Sequence, residues 1–336
     1  MKVLLFFESQ NLISKSGIGR ALNHQIKALE SQNIEYTFDP NDTYDVAHIN
    51  TIGPKSKLLI KKCKKKNIKI IYHAHSTEED FKNSFIFSNQ FAPFFKKRLI
   101  SLYSQADCII TPTPYSKKLI SHYEGITQPI YSISNGIDIQ EYDYNKERVH
   151  KFREHFHLNE NDKVIIGVGL FFKRKGIIDF VEIAKNLPQY TFIWFGSTPL
   201  YSIPKDIRQI ITKNHPKNVI FPGYITGDII KGAYAGADAF FFPSYEETEG
   251  IVVLEALSSY QQVIVRDIPV YDGWLYDQYN CYKGHTNQEF KDIIVNVVEK
   301  KVSDLRENAR KTALQKSIPE IGKELKDIYT KVLEDY

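Results

Sequence analysis

The chain has 336 residues, which is too long for one ordinary core and fits two domains of roughly 150 to 180 residues each. Its hydrophobic content of 42% and charged content of 25% are typical of a globular protein. The three cysteines contain no Cys-x-x-Cys pair, so they indicate neither a disulfide framework nor a zinc site. No long apolar stretch or signal segment is present, so we expect a cytosolic protein that does not span a membrane.

Short apolar runs alternate with amphipathic stretches, which predicts parallel sheets joined by crossover helices. The predicted strands of the first half are 2–7, 35–38, 46–49, 69–73, 108–111 and 130–133. Those of the second half are 163–169, 190–195, 218–221, 239–242 and 263–265. Helices are predicted near 176–187, 204–213, 251–259, 287–299 and 320–336. The polar stretch 143–162 separates the halves, so we expect an α/β protein with two doubly wound domains.

A glycine pair, Gly17 and Gly19, follows the first predicted strand and precedes a helix. Such a pair either only tightens the turn or lets the backbone approach a phosphate at the helix N-terminus. Leu22 stands at the third position of the Gly-x-Gly-x-x-Gly pattern. This departure argues against a dinucleotide-dependent oxidoreductase.

Two basic segments lie in the first half, which also carries the chain's excess of Lys and Arg. Residues 55–69 are rich in lysine, and residues 81–103 interleave aromatic and basic side chains. The first segment is either a solvated helix face or a surface for an anionic partner, and the second is either core or an interfacial membrane helix. Taken together they favour an anionic lipid surface, which these residues would face: Lys57, Lys61, Lys62, Lys64, Lys65, Lys66, Phe94, Phe95, Lys96, Lys97 and Arg98.

Two histidines, His73 and His75, end a predicted strand, and alternation places them on the same side of it. They are candidates for metal ligands, catalytic groups or packed polar residues. No third ligand has a suggestive spacing and no Asp-x-Asp pattern occurs, so a metal site is not predicted.

In the second half, Lys173, Arg174 and Lys175 stand between a predicted strand and Gly176, which precedes a helix. Three consecutive cations at this place are either an exposed basic turn or a clamp for a diphosphate leaving group. Their position after a parallel strand favours the clamp, because open α/β sheets bind ligands at that edge.

Two carboxylates, Glu247 and Glu255, flank the start of a predicted helix. They are either favourable charges near the positive end of the helix dipole or acceptors for the hydroxyl groups of a sugar. The amides from Gly250 to Val252 begin that helix and would point free N–H groups at an anion. A sugar linked to a phosphate suits such a site.

The spacing of Glu247 and Glu255 resembles the Glu-x7-Glu signature of retaining glycosyltransferases of family 4, and Lys175-Gly176 matches a Lys-Gly element of that family. The segment Asn135-Gly136-Ile137-Asp138 resembles the family's Asn-Gly-Val-Asp element. The resemblance implies the GT-B fold, with two Rossmann-like domains facing across a cleft. Residues 1–145 would form the acceptor domain, 146–318 the nucleotide-sugar domain, and 319–336 a helix that crosses back to the first domain.

The same resemblance implies roles for individual residues. Glu247 and His75 would hold the transferred sugar, and Lys175 would stabilise the departing diphosphate. Either Lys173 or Arg174 would supply the charge that family members place directly after the strand, where this chain has Leu170. The implied donor-binding residues are Gly17, Gly19, Lys173, Arg174, Tyr224, Thr248, Gly250, Ile251, Val252 and Glu255. No cofactor or metal is implied.

Residues 75–85 further resemble bacterial glycosyl-glucosyldiacylglycerol synthases. This resemblance implies transfer of glucose or galactose from UDP-glucose or UDP-galactose to a glycolipid acceptor, such as glucosyldiacylglycerol. The protein would lie on the inner face of the cell membrane and bind no nucleic acid. Two alternatives stay open: a soluble family 4 transferase of capsule or wall polysaccharide synthesis, and a non-catalytic partner subunit that binds a nucleotide sugar.

Overall fold

A computed structural model of the protein describes residues 1–8 and 17–334. They form two compact units. The first contains the described parts of Met1–Phe81, then Gln90–Ile137 and residues 316–334, and the second contains Lys82–Asn89 and Asp138–Gln315. The division after Ile137 precedes the predicted boundary at 145/146, and the chain enters the second unit briefly between Lys82 and Asn89.

Strands and helices alternate through most of the described residues of both units. The strands are β1 Lys2–Phe6, β2 Glu35–Thr37, β3 Val46–Ile49, β4 Lys69–His73, β5 Cys108–Thr111, β6 Ile130–Ser132, β7 Val164–Val168, β8 Thr191–Phe195, β9 Val219–Gly223, β10 Ala239–Phe242, β11 Val263–Arg266 and β12 Tyr282–Gly284. The helices are α1 Gly17–Ser31, α2 Pro54–Lys65, α3 Glu78–Phe81, α4 Ser88–Tyr103, α5 Pro114–Ser121, α6 Lys146–His155, α7 Ile177–Lys185, α8 Lys205–Thr212, α9 Asp228–Gly236, α10 Ile251–Ser258, α11 Asn287–Val298, α12 Arg306–Leu314 and α13 Ile318–Glu334.

The first unit has apolar packing on both faces of its sheet. Val3 and Leu5 of β1 pack with residues of α1 and α13, whereas Leu4 and Phe6 pack with residues of α2 and α4. Because successive side chains of a strand point to opposite faces, the continuous apolar run of β1 is what a strand covered on both sides requires. The core of this unit therefore lies in two layers, above and below the sheet.

Helix α13 packs against α1 within the first unit, and Gly322 permits the close approach. A Cβ atom at Gly322 would lie 2.6 Å from the backbone oxygen of Ala28. The apolar face of α13 contributes Ile321, Leu325 and Tyr329 to the core of the unit. The last helix of the chain is therefore built into the N-terminal sheet's packing.

Both sheets are parallel and contain six strands, in the orders β2-β1-β3-β4-β5-β6 and β12-β11-β10-β7-β8-β9. The order reverses between β1 and β3 and between β10 and β7, and such switch points are where doubly wound sheets bind ligands. The predicted fold class, α/β with two doubly wound Rossmann-like domains, is confirmed. Sequence reasoning missed β12, because Tyr-Lys-Gly is too short and too polar to give a strand signal.

Candidate functional site

The loops after β7 and β10 meet at the switch point of the second sheet. The loop after β7 forms a short 3-10 turn, Lys173–Lys175, and ends at Gly176 with a φ of 75°. A Cβ at Gly176 would lie 2.3 Å from the backbone oxygen of Pro243, at the end of β10. Only glycine tolerates both the left-handed backbone and this contact. The residue therefore brings the basic turn against the loop that carries Glu247.

Lys175 and Glu247 form a buried ion pair at this junction. The Lys175 Nζ atom lies 2.5 Å from Glu247 Oε1, which also accepts a 2.7 Å hydrogen bond from the Ser244 hydroxyl. An Arg174 Nη atom lies 3.7 Å from the same oxygen. Burial raises the pKa of Glu247, but the two cations outweigh burial and hold the pKa below its usual value. The carboxylate is therefore charged at neutral pH.

Arg174 is held from several directions, whereas its neighbour Lys173 is exposed. The Arg174 guanidinium donates to the backbone oxygen of Glu246 at 2.8 Å and to the Ser84 hydroxyl at 2.9 Å, and its backbone amide donates to the Asn83 oxygen at 3.2 Å. Of the two cations that sequence reasoning left open, Arg174 is the one beside the Glu247 carboxylate. Asn83 and Ser84 lie near the end of residues 75–85, the segment that resembles glycolipid synthases. This end of the segment therefore contacts the basic turn through Arg174.

Glu255 lies on the first turns of α10 and is fully buried. Its Oε2 atom accepts a 2.5 Å hydrogen bond from the hydroxyl of Tyr234, which lies on α9. Helix α10 begins at Ile251, directly after Gly250 with a φ of 87°. The structure therefore places the two predicted carboxylates on the same loop and helix start, with Glu247 beside cations and Glu255 beside a phenol.

The other predicted donor-binding residues of the second unit surround these groups. Thr248 and Val252 are partly buried in the loop and helix after β10, and Ile251 is buried. Tyr224 is partly buried and directly follows β9. All of these residues lie at the carboxyl ends of parallel strands or at the start of the following helix. At this edge, backbone amides and the basic turn suit a diphosphate and the carboxylate suits sugar hydroxyls.

In the first unit, three histidines lie side by side at the carboxyl ends of β3 and β4. The ring centroids of His48 and His73 are 5.3 Å apart, and those of His73 and His75 are 4.1 Å apart. His75 Nε2 lies 2.8 Å from Asn50 Oδ1. Burial lowers the pKa of His48 and of His75 to about 3, and that of His73 well below its usual value. The three rings are therefore neutral at physiological pH and act through hydrogen bonds.

Residues of α1 and α13 complete this cluster. Tyr329 Oη lies 2.7 Å from His48 Nδ1, and Gln25 Nε2 donates to Asn50 Oδ1 at 2.8 Å. The glycine pair of the same unit lies at the start of α1, which begins at Gly17, and Gly19 is buried. Within the described ranges, no group of three or more His, Cys, Asp and Glu side chains is placed to hold a metal ion. That the activity needs no metal or cofactor remains a prediction.

Comparison with known protein families identifies the family of the chain. The family Glycosyltransferase Family 4 matches residues 17–141, and the family Glycosyl transferases group 1 matches residues 149–316. The chain is a glycosyltransferase of family 4. The resemblance noted in the sequence is thus confirmed.

Curated relatives and solved structures agree with this assignment. A processive diacylglycerol alpha-glucosyltransferase of Acholeplasma laidlawii is 51% identical over 334 residues, which cover 99% of each chain. An alpha-galactosylglucosyldiacylglycerol synthase of Streptococcus pneumoniae is 33% identical over 190 residues, covering 55% of this chain and 50% of that protein. The crystal structure of Anabaena HepE in complex with UDP-glucose has a TM-score of 0.80 at 18% identity and covers 98% of this chain and 100% of that one. The last likeness shows the fold.

The predicted membrane-facing lysines of the glycosyltransferase lie on and after α2. Leu59, Ile60 and Cys63 lie on the other face of α2, where they are buried in the core of the first unit. Lys62 donates to the backbone oxygen of Pro40 and to a neighbouring asparagine. The exposed members of the set are Lys57, Lys61, Lys64, Lys65 and Lys66.

Helix α4 of the enzyme divides its predicted membrane residues into exposed and packed ones. Phe94 is 68% exposed, and Lys97 is also exposed. Phe95 stacks on a phenylalanine of α3 with a centroid distance of 4.1 Å. Lys96 forms a 3.2 Å ion pair with a glutamate that also lies on α3. Arg98 donates to two backbone carbonyls at 3.0 and 2.7 Å. Of the predicted membrane residues on α4, Phe94 and Lys97 are therefore the ones that face solvent. Among the described residues, no helix is long and apolar enough to cross a membrane.

Sequence reasoning missed several residues that hold the site of the enzyme together. Ser244 and Asn50 come at or just after the ends of β10 and β3, and a polar residue at the carboxyl end of a buried strand was the available signal. Ser84 and Tyr234 gave no such signal, because their partners Arg174 and Glu255 are far away in sequence.

Proposed function

We propose that the enzyme transfers glucose from UDP-glucose, with retention of configuration, to a sugar hydroxyl of glucosyldiacylglycerol. The observation that carries the proposal is the 51% identity over 99% of the chain to an enzyme named as a processive diacylglycerol alpha-glucosyltransferase. The buried Lys175–Glu247 pair beside a helix start supports it, since this arrangement suits a sugar diphosphate.

In the proposed reaction, the bond between the anomeric carbon and the phosphate oxygen breaks, and a bond to the acceptor oxygen forms on the same face. The acceptor proton passes to the leaving diphosphate, so UDP and a diglycosyldiacylglycerol are the products. Negative charge grows on the diphosphate as its bond to the sugar breaks, and Lys175 and Arg174 would stabilise this charge. Glu247 would position the hexose, a role that the family resemblance also implies for His75. His75 is neutral, so it would contribute a hydrogen bond and no charge.

Transfer by the purified protein alone tests the proposal. Radiolabelled UDP-glucose and UDP-galactose would each be incubated with vesicles that contain glucosyldiacylglycerol, and the lipid products would be digested with an α-glucosidase or an α-galactosidase. We expect labelled, α-glucosidase-sensitive diglucosyl lipid from UDP-glucose. Galactosyl product alone would overturn the choice of donor. Transfer to soluble oligosaccharide but not to lipid would favour the alternative of a polysaccharide-synthesising transferase.

We also propose that the enzyme acts as a peripheral protein on the cytoplasmic face of the membrane, through the exposed lysines of α2. Near an anionic surface each lysine contributes up to about 1 kcal/mol of binding free energy. Changing Lys57, Lys61, Lys64 and Lys65 together to Gln should therefore release most of the protein from anionic vesicles, and the effect should fade as salt shortens the reach of each charge.

A variant with four dispersed exposed lysines changed to Gln is the matched control, because its net charge is the same. Suitable positions are Lys185, Lys213, Lys217 and Lys301. Cosedimentation with vesicles of graded anionic content measures both proteins. Equal binding losses in the two variants would mean that net charge, and not α2, sets the attraction.

A further inference from the structure

The segment Lys82–Asn89 belongs to the second unit and contacts its basic turn directly. The Asn83 backbone oxygen and the Ser84 hydroxyl accept hydrogen bonds from the amide and guanidinium of Arg174, at 3.2 and 2.9 Å. The next residue, Phe85, packs edge to face on Phe172, with a centroid distance of 4.6 Å. These three contacts hold the turn that carries Arg174 and Lys175. A displacement of the segment would therefore also move Arg174 and Lys175.

The same segment presents apolar side chains to solvent. The Ile86 amide donates a 3.1 Å hydrogen bond to the Ser202 oxygen, which joins the segment to the turn Leu200–Ser202. Together the two pieces form an apolar patch, defined by Phe85, Ile86, Phe87, Leu200 and Tyr201, in which Phe87 is 63% and Tyr201 is 81% exposed. An exposed group of large apolar side chains marks an interaction surface.

Phe87 adopts a left-handed backbone conformation with a φ of 62°. This conformation is unfavourable for a phenylalanine by about 1–2 kcal/mol, and such strain persists where the surrounding contacts impose it. Here the imposed turn holds an aromatic ring in water. Phe87 therefore stays exposed although its backbone conformation lowers the local stability.

We propose that the apolar patch enters the interface of the bilayer that holds the acceptor lipid, and that Asn83, Ser84 and Phe85 transmit this contact to the donor site through Arg174. The inference rests on the proposed function, since an acceptor with two acyl chains stays in the bilayer. Lys173 and Lys205 are exposed and lie close in sequence to the contacts of the patch. Their charge complements an anionic surface, and aromatic residues beside cations are typical of interfacial insertion.

The first test removes the exposed rings. Phe87→Ser with Tyr201→Ser should lower binding to phosphatidylglycerol–phosphatidylcholine vesicles about tenfold or more at high salt, where the attraction of the lysines is screened and the apolar contribution remains. Transfer to glucosyldiacylglycerol in these vesicles should fall with it. Transfer to a water-soluble alkyl glucoside, below its micelle concentration, should be unchanged.

Tyr144→Ser with Tyr279→Ser is the matched control, because these tyrosines of the same unit are 60% and 55% exposed. It should bind vesicles as the wild type does. If the two double variants bind equally well at high salt, the patch is not a lipid surface. Self-association of the wild type that only the Phe87 and Tyr201 changes abolish, seen by sedimentation velocity, would assign the patch to a second copy of the chain and also overturn the proposal.

The second test addresses the coupling. Ser84→Ala removes the hydroxyl that accepts from Arg174 and leaves the apolar patch intact, so vesicle binding should be unchanged. Vesicles without acceptor should tighten UDP binding several-fold in the wild type and should not do so in the variant. Equal tightening in both would overturn the coupling through Arg174. Failure of the wild type to glucosylate either acceptor would instead refute the proposed function, which separates the two hypotheses.

Discussion

Replacing Lys175 with methionine should lower kcat about a hundredfold to a thousandfold while it weakens UDP binding far less. Charge develops on the diphosphate as the bond to the sugar breaks, and the loss of one preorganised contact to such charge is worth about 3 to 4 kcal/mol in the transition state. Methionine keeps most of the lysine's volume, so the change removes the charge without opening a cavity beside the ring of Phe242, which lies 5.3 Å from Nζ.

Lys185→Met is the matched control, because this lysine is exposed and lies at the end of α7 in the same unit. It should retain kcat within a few-fold. Steady-state kinetics at saturating UDP-glucose and glucosyldiacylglycerol, with calorimetric titration of UDP, measures both effects. Near-native turnover of Lys175→Met would remove this lysine from the mechanism.

The same variant should change the pH dependence of stability. In the wild type the lowered pKa of Glu247 means that the folded protein binds the proton less readily than the unfolded chain. The carboxylate therefore stabilises the fold above its unfolded pKa, and this stabilisation is lost as the pH falls through the folded pKa. Burial raises the pKa of Glu247, and Lys175 is one of the two cations that lower it. Removing the Lys175 charge should therefore raise this pKa. The acid side of the stability profile should consequently move to higher pH, as thermal melts across the acid range would show.

Much of the fold followed from the pattern of apolar runs. The strands 46–49, 69–73, 108–111 and 239–242 were predicted with the bounds that the structure shows, because each is a buried run that ends at a polar residue or proline. Parallel sheets bring the carboxyl ends of such strands to one edge, which indicated that the loop of Lys175 and the loop of Glu247 serve one site.

Individual partners were beyond the reach of the sequence. The pairing of Lys175 with Glu247 depends on the turn at Gly176 and on the Ser244 hydroxyl. The contact of Ser84 with Arg174 joins residues from distant parts of the chain. Spacing along a chain determines which face or end a side chain occupies, whereas these contacts depend on how loops of different elements pack together.

Packing also divided the predicted membrane residues. Lys62, Lys96 and Arg98 belong to segments with a clear basic and aromatic character, but each makes hydrogen bonds or an ion pair within its own unit. Long cationic side chains reach backbone carbonyls and carboxylates several ångströms away, and a helical pattern does not indicate which of them do so. The lysines of α2 that remain exposed are therefore the better targets for testing the polybasic surface.

Glu247→Gln and Glu255→Gln should fail in different ways. Glu247→Gln should lower kcat about a hundredfold or more and leave UDP affinity within a few-fold, since we predict that this residue faces the hexose. Glu255→Gln should weaken UDP itself, since we predict that it faces the ribose. Tyr234→Phe is a control for the second variant, because it removes only the hydroxyl that donates to Glu255. Calorimetric titration with UDP and with UDP-glucose measures the difference, and equal losses of UDP affinity in the two variants would refute the division of roles.

Stability provides an independent measure of Glu247, because its carboxylate is the counter-charge of a buried cation. Removing one partner of a buried ion pair destabilises a protein by about 3 to 5 kcal/mol, since the other charge is left buried and unpaired. Glu247→Gln should therefore lower the Tm, and UDP should raise it more than in the wild type, because the diphosphate gives Lys175 a new counter-charge. Adding Lys175→Met to Glu247→Gln should restore much of the stability but none of the turnover. If the double variant is destabilised by the sum of the two single changes, the residues act independently and the ion pair does not organise the donor site.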